Sequence, residues 1–456
     1  MDFSSLAVLS GLPAQDPYNA VGVPIYATAA YGFADLEDGA YKFATNQGYT
    51  YTRLQNPTVA ALEARLTALE GALGAVCLAS GQAASFASLL ALVRAGEEVV
   101  ASPGLFGGTV GLLGQVFGLM GVRVHFVEPE VAAVRAVLNE KTRAVFVEVL
   151  GNPSLKLPDL QGLARLCEEH QAALVVDNTF GAVGALARPL EHGTHVVVHS
   201  LTKWASGHGS VLGGAVLSRE TALWQRYPQF SSPDAQGKIP LGAVRPAMFS
   251  GAGAPAGAIA LRDGAVALQC LPALSGLRDP NAAGGASQPD ALTLARWLQA
   301  QPQVAWVRYP GLPGDPAHPR AAQYLRGGFG SILTFGLRGG PRGASRFLAH
   351  LNILQAPNVG DACTLAVHPW TTNPQPYSGR SPPGGGGGAG DDSAFGGVGK
   401  PPGPPADAGR GPPGSGGGWG MKISTLLQSG RPLFSFEFFP PKTPRARLRC
   451  FAPCTS

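Results

Sequence analysis

The sequence contains few charged residues and no long run of apolar ones. Charged residues make up 14% of the 456-residue chain, against about 25% in typical soluble domains. The net charge of +5 is small for this length, and Lys and Arg form no basic stripe, which argues against nucleic-acid binding. No apolar run reaches the roughly 18 residues of a membrane-spanning helix, so we expect no membrane association. The first residues also lack the basic and apolar regions of a signal peptide.

Cysteine and histidine are sparse and poorly spaced for metal binding. Only Cys450 and Cys454, of the six cysteines, lie close together. This spacing disfavours a disulfide scaffold, so we expect a reducing, cytoplasmic environment and no metal site. Three histidines lack metal-ligand spacing with Cys or Asp and are interpreted as structural: His192, His195 and His199.

Strand-like and helix-like segments alternate from Pro57 to about residue 200. The first predicted helix begins at Pro57, ends at Gly71 and carries three leucines on one face: Leu62, Leu66 and Leu69. Continuous apolar runs, such as ALVVDN (173–178) and HVVVHS (195–200), are typical of strands buried on both faces. The alternation predicts an α/β fold with a mainly parallel sheet covered by helices.

Composition and pattern divide the chain into five predicted segments. The Gly/Pro-rich stretch near the end cannot form a packed core and is predicted to be disordered. The segments are an amino-terminal arm (1–56), a large domain (57–255), a smaller α+β domain (256–378), the Gly/Pro-rich tract (379–420) and a final fragment (421–456).

Three predicted strand ends carry residues suited to one cofactor chemistry. Lys203 follows the strand that ends at Ser200, Asp177 ends another strand, and LASGQAA (78–84) joins a third strand to a helix start. Ligands bind at the carboxyl ends of parallel strands. A lysine can bond covalently to an aldehyde, an acid can keep a pyridine nitrogen protonated, and a helix amino terminus can hold a phosphate. Together these groups meet the needs of pyridoxal phosphate.

Each of these signals has a plainer interpretation when it is taken alone. A lone lysine after a strand is usually a surface residue on a turn, and Asp177 can be a turn or cap residue. The strand–turn–helix element is a weak motif without its neighbours. The combination, rather than any member, indicates the cofactor.

Several longer motifs resemble one family. From about Val23 to about Gln375 the chain resembles the Cys/Met-metabolism pyridoxal-phosphate enzymes of fold type I, which implies a seven-stranded, mainly parallel sheet. The pair His208–Gly209 favours the branch that makes homocysteine and acetate from O-acetylhomoserine and sulfide, with cystathionine γ-synthase or γ-lyase as alternatives. The motifs are VPIYATAAYGF, YTRLQNPT, ASGQAA, GGT, GNPS, VDNTF, HSLTKWASGHG, GGFGSILTFG and NVGDACTL.

The resemblance implies a role for each matching residue. Lys203 would bond covalently to the cofactor and move protons, and Asp177 would pair with the pyridine nitrogen. Phe106 would stack on the ring, where many relatives carry Tyr, and Asn152 would lie near the ring hydroxyl. The phosphate would be held by Gly81, Gln82, Ser200 and Thr202, and by Tyr51 and Arg53 of a neighbouring subunit. The resemblance thus implies a homo-oligomer, a dimer of active dimers.

Two stretches depart from the family's pattern. Ser275–Asp290 stands where the family has a helical segment, and the arginine that binds the substrate carboxylate in relatives is absent after Gln375. Some of the codon sets that encode Ser275–Asp290 would, if read one base later, encode the missing helical segment of the family. Those possible for Asp392–Lys400 can spell Thr-Arg-Leu-Ser-Val-Gly-Leu-Glu, the missing arginine motif. We therefore predict out-of-frame translation over 264–289 and 379–420, which leaves a catalytically impaired enzyme as a further alternative.

The final fragment begins afresh at Met421. MKISTLLQSGRPLFSFEFFPPKTP (421–444) resembles the start of methylenetetrahydrofolate reductase. The fragment is too short to form a folate site, so we assign it no activity.

Overall fold

The computed structural model describes most of the chain up to Val367. The predictions for residues 264–287 and 379–420, and for most of the fragment 421–456, lie outside the described residues. The described ranges are 1–12, 16–45, 47–227, 230, 288–338, 340–351, 353–356, 358–360, 365–367 and 435–438.

The described strands fall into two sheets. Those of the larger sheet are β1 (Gly74–Leu78), β2 (Glu98–Ala101), β3 (Arg123–Phe126), β4 (Thr142–Glu148), β5 (Ala173–Asp177), β6 (Val196–Ser200) and β7 (Gly214–Ser218). Those of the smaller sheet are β8 (Val304–Arg308), β9 (Leu333–Leu337), β10 (Leu354–Gln355), β11 (Leu365–Val367) and β12 (Ser435–Phe438).

Helices alternate with these strands, as the sequence pattern predicts. The described α-helices are α1 (Phe3–Leu9), α2 (Leu36–Thr45), α3 (Pro57–Glu70), α4 (Gly81–Leu92), α5 (Gly107–Gly111), α6 (Val131–Arg135), α7 (Leu160–Glu169), α8 (Gln288–Gln299), α9 (His318–Tyr324) and α10 (Gly340–His350). Short 3₁₀ turns cover Thr179–Gly181, Pro189–His192 and Ala222–Arg226, and a π-helix covers Leu112–Phe117.

The larger sheet has seven strands in the order β1-β7-β6-β5-β4-β2-β3, and six of them run in one direction. Only β7 is antiparallel to its neighbours, β1 and β6. The smaller sheet has the order β10-β11-β12-β9-β8. The predicted α/β fold with a mainly parallel seven-stranded sheet is confirmed, and the antiparallel β7 adds a strand that the sequence reading did not identify.

Helix α3 shows how local sequence sets one of these elements. The Asn56 side chain accepts a hydrogen bond from the Thr58 N–H, Pro57 occupies the first turn, and Gly71 ends the helix with φ of 65°. The helix carries the predicted leucine face, and burying each leucine stabilises the fold by about 1.5–3 kcal/mol. The three leucines are all buried against the sheet: Leu62, Leu66 and Leu69.

The segment after Phe106 forms two kinds of helix. Only Gly107–Gly111 is α-helical, and Leu112–Phe117 continues as a π-helix. A π-helix adds a residue to one turn, and here it still buries Leu113 and Phe117 in the core. In the described ranges, no helix combines the length and apolar character needed to cross a membrane.

Candidate active site

A cavity of about 270 Å³ opens at the carboxyl ends of the central strands. Glu148 at the end of β4 lies level with Asp177, which lies level with Val198 on β6, so these strand ends share one edge. Eight of the ten residues that the sequence predicted for the site line this cavity. They are Gly81, Gln82, Phe106, Asn152, Asp177, Ser200, Thr202 and Lys203.

The amino terminus of α4 forms one wall of the cavity. Ser80 caps the helix by accepting a hydrogen bond from the Ala83 N–H through its side chain, and its carbonyl accepts from the Ala84 N–H. Among the described residues, this leaves the N–H groups of Gly81 and Gln82 for a ligand. A Cβ on Gly81 would lie 2.6 Å from the Cβ of Ser200. Only glycine at this position therefore allows the amino terminus of α4 to lie this close to Ser200.

Asp177 places a carboxylate in the cavity. Its Oδ1 accepts a hydrogen bond of 2.9 Å from the Thr179 N–H. Burial raises the pKa of Asp177, and the Thr179 hydrogen bonds and the nearby His199 oppose that rise. A buried carboxylate is stabilised when a cationic partner reaches it, so a protonated ring nitrogen would suit this position.

Lys203 reaches the cavity from the turn that follows β6. Its Nζ donates a hydrogen bond of 2.8 Å to Oδ1 of Asn358, which also lines the cavity. Asn358 belongs to the motif NVGDACTL, but it was not among the residues predicted for the site. The contact holds the lysine amino group within the cavity. The neighbouring Thr202 hydroxyl accepts a hydrogen bond of 3.2 Å from the Gly213 N–H.

Glu148 is a second residue that the sequence reading missed. Its Oε1 accepts from the Phe106 N–H at 2.6 Å, and its Oε2 accepts from the Asn152 N–H at 3.0 Å. One carboxylate therefore holds the two loops that carry Phe106 and Asn152. Glu148 ends an apolar strand as Asp177 does, so the same strand-end rule applies to it. Phe106 is 48% exposed and forms an open face for stacking.

The two remaining predicted residues lie outside this cavity. Tyr51 is 45% exposed, and the Arg53 guanidinium lies 5.7 Å from the centre of its ring. Neither residue lines the cavity of its own chain.

Comparison with known proteins identifies the family. The model of the Cys/Met metabolism PLP-dependent enzymes matches residues 4–378. The chain belongs to this family. Within it, the chain is 41% identical over 391 residues to O-acetyl-L-homoserine sulfhydrylase 1 of Thermus thermophilus, covering 82% of this chain and 90% of that protein. It is 34% identical to the homocysteine synthase of Schizosaccharomyces pombe, covering 82% and 89% of the two chains.

A solved structure also matches. The O-acetylhomoserine (thiol)-lyase of Campylobacter jejuni superposes with a TM-score of 0.76 and 29% identity, covering 83% of this chain and 91% of that one. That protein carries a pyridoxyl-lysine phosphate residue. Family membership makes pyridoxal phosphate the cofactor of this chain and confirms the sequence prediction.

The residues of the cavity fit this cofactor. The amino terminus of α4, at Gly81 and Gln82, forms with Ser200 a cradle of hydrogen-bond donors for a phosphate. A Cβ on Gly81 would fill this cradle. The Asp177 carboxylate lines the same space, and Lys203 is the cationic side chain among the described residues that line it. An anion cradle, a carboxylate and a lysine in one cavity match the phosphate, the ring nitrogen and the aldehyde of pyridoxal phosphate.

Proposed function

We propose that the protein replaces the γ-acetoxy group of O-acetylhomoserine with sulfide: the Cγ–O bond breaks, a Cγ–S bond forms, and the products are homocysteine and acetate. One observation carries the proposal: the cavity unites Lys203, Asp177 and the Gly81 cradle in a chain 41% identical to an O-acetyl-L-homoserine sulfhydrylase. The homocysteine synthase among its relatives bears the name of the same product. The pair His208–Gly209 supports sulfide, rather than cysteine, as the nucleophile.

Each cavity residue has a proposed contact with the cofactor. Lys203 holds it covalently and Asp177 pairs with the ring nitrogen, while Phe106 stacks on the ring and Asn152 lies near its hydroxyl. The phosphate contacts are the N–H groups of Gly81 and Gln82 and the hydroxyls of Ser200 and Thr202. When bound, pyridoxal phosphate supplies an electron sink for the carbanion that forms next to the amino group.

Lys203 is the proposed proton carrier. Its Nζ is the amino group that can take a proton from Cα and deliver one toward the departing acetate. The Asn358 amide oxygen, 2.8 Å away, orients this group toward the cavity. Phe106 has no hydroxyl, so it cannot assist the leaving group. Proton delivery therefore falls to Lys203.

Tyr51 and Arg53 are proposed to serve the phosphate of a neighbouring copy. Both are exposed and lie outside the cavity of their own chain, and a guanidinium offers bidentate contact to phosphate. We further propose a cytoplasmic homotetramer, built as a dimer of active dimers. Arg53→Ala should weaken cofactor retention. Heterodimers of Arg53→Ala with Lys203→Ala should regain activity, because one of their two sites is intact; verified heterodimers without activity contradict a shared site.

The reaction is tested with purified protein, pyridoxal phosphate and O-acetylhomoserine. Sulfide and cysteine are supplied side by side, and homocysteine, cystathionine and 2-oxobutyrate are measured. We expect homocysteine to form fastest, and Lys203→Ala to abolish both turnover and the borohydride-stable attachment of cofactor. Faster cystathionine formation identifies a γ-synthase instead, and 2-oxobutyrate formed without a thiol identifies a γ-lyase. Cofactor still attached at another lysine in Lys203→Ala refutes the assignment of Lys203.

A further inference from the structure

A buried carboxylate lies on the side of the sheet away from the cavity. Glu70, the last residue of α3, is completely buried. Its Oε1 lies 2.7 Å from Nε2 of His199 and 2.8 Å from Nδ2 of Asn178, and accepts a hydrogen bond from each. Hydrogen bonds to a charged acceptor are among the strong ones in proteins. A side chain on β6 and one just past the end of β5 therefore converge on one oxygen atom.

The two donors are the sequence neighbours of proposed cofactor contacts. Asn178 follows Asp177 at the end of β5, and His199 precedes Ser200 on β6. Successive side chains of a strand point to opposite faces. Asp177 and Ser200 line the cavity, so His199 and Asn178 meet Glu70 behind it.

The same two strand ends are also joined on the cavity side. The Ser200 N–H donates to the Thr179 hydroxyl at 2.8 Å, and the Thr179 N–H donates to Asp177 at 2.9 Å. Asn178 makes a further hydrogen bond of 2.8 Å to the Ala187 carbonyl. The separation between Asp177 and Ser200 is thus fixed from both faces of the sheet.

We infer that Glu70 is a positioning residue for the cofactor: it sets the distance between Asp177, at the ring nitrogen, and Ser200, at the phosphate. A rigid ligand held at both ends loses a contact when that distance changes. Glu70 itself touches no ligand and acts through Asn178 and His199. This inference rests on the proposed cofactor contacts of Asp177 and Ser200.

The chain contains a matched control at the opposite edge of the sheet. Glu98, at the start of β2, is also buried, and its Oε2 lies 2.7 Å from Nε2 of His125 and 2.8 Å from Nδ2 of Asn139. It has the same three residue types and the same convergence on one oxygen, and its other oxygen lies 3.6 Å from the exposed Arg123 guanidinium. Because β2 runs parallel to β4, its first residue lies at the edge away from the cavity. Loss of this group costs stability without touching the strand ends that hold the cofactor.

The experiment compares Glu70→Leu with Glu98→Leu in the full chain. Pyridoxal phosphate is titrated into each apoprotein and its dissociation constant is read from visible absorbance, with urea unfolding measured in parallel. We expect both variants to lose stability. Glu70→Leu alone should bind cofactor about tenfold more weakly, as for a lost hydrogen bond to a charged group, and its bound cofactor should show a shifted absorbance band.

A second pair decides the question if Glu70→Leu does not fold. His199→Gln keeps an N–H donor near the Glu70 oxygen, whereas His199→Leu removes it. We expect wild-type cofactor affinity in the first and about tenfold weaker binding in the second.

Three results would overturn the inference. They are a wild-type dissociation constant in Glu70→Leu, equal weakening in Glu98→Leu, and equal affinities of the two His199 variants. Asp177→Asn separates this failure from that of the proposed contacts. If Asp177→Asn binds cofactor normally, the proposed contact of Asp177 fails; if it binds weakly while Glu70→Leu binds normally, only the inference about Glu70 fails.

Discussion

Gly81→Ala is the sharpest test of the phosphate cradle. The added Cβ would lie 2.6 Å from the Cβ of Ser200 and 2.9 Å from its Cα. Ordinary van der Waals contact begins near 3.4 Å. The obstacle includes Ser200 backbone rather than the far end of a flexible side chain, so the amino terminus of α4 has to move away from β6.

The magnitude follows from what that movement separates. Overpacking of this kind costs about 1–3 kcal/mol of stability. Displacing one N–H from the phosphate removes a hydrogen bond to a charged group, worth about 1.5–3 kcal/mol. That loss corresponds to roughly 10–150-fold weaker cofactor binding at about 1.4 kcal/mol per decade. The cradle should therefore lose affinity while the rest of the sheet stays folded.

Cofactor titration of the apoprotein, followed by visible absorbance, measures this change. Gly111→Ala is the matched control, because its φ is −63° and no atom lies within 4 Å of its Cβ position. We expect the control to bind normally and to gain about 0.5–1 kcal/mol of stability at most. Wild-type affinity in Gly81→Ala would show that the α4 terminus does not hold the phosphate.

Three further changes test separate parts of the molecule. Burial lowers the pKa of His195 to about 3 from its usual 6.5. Burying the neutral imidazole therefore contributes fully to the free energy of unfolding above pH 6.5. That contribution is lost as the pH falls toward 3, by up to about 1.4 kcal/mol per pH unit. Urea unfolding at pH 7.5 and about 5.5 should show a lower free energy of unfolding at the lower pH in wild type. The loss should be smaller in His195→Asn, which keeps an acceptor for the Leu174 N–H; equal losses in the two proteins contradict the role of His195. Asn358→Ala removes one acceptor of the Lys203 amino group, and should lower kcat about tenfold with little change in cofactor affinity; unchanged steady-state kinetics contradict the orienting role. Restoring the alternative frame over Ser275–Asp290 and Asp392–Lys400 returns the carboxylate-binding arginine and should raise kcat/KM about 10–150-fold; equal rates of both proteins sink the frame interpretation.

The strand ends of the site could be predicted because each follows a continuous apolar run. ALVVD and VVVHS leave little choice but buried parallel strands, which brings Asp177 and the segment before Lys203 to one edge. The same rule, applied to AVFVE, would have identified Glu148. Glu148 is therefore as predictable from its strand as Asp177 is from β5.

Other parts of the site depend on contacts that no local pattern carries. Asn358 meets Lys203 across 155 positions of sequence, so neither residue's neighbours indicate the pair. β7 is short and begins with Gly214, which lowers its strand signal. Its antiparallel direction follows from the tertiary arrangement alone. The domain boundaries, the out-of-frame stretches and the likeness of residues 421–444 to a reductase remain predictions.

The position of β7 also links the order of synthesis to the completion of the larger sheet. Gly214 pairs with Leu78 on one side and Ser200 on the other, so β7 separates the strand that leads into α4 from the strand that ends at Ser200. It is the last of the seven strands to leave the ribosome. Because β7 lies between the strand that leads into α4 and the strand that ends at Ser200, we expect the phosphate cradle to form only when β7 has entered the sheet. Pyridoxal phosphate would then stabilise only chains that have completed that step. We therefore expect cofactor binding to follow the completion of the larger sheet.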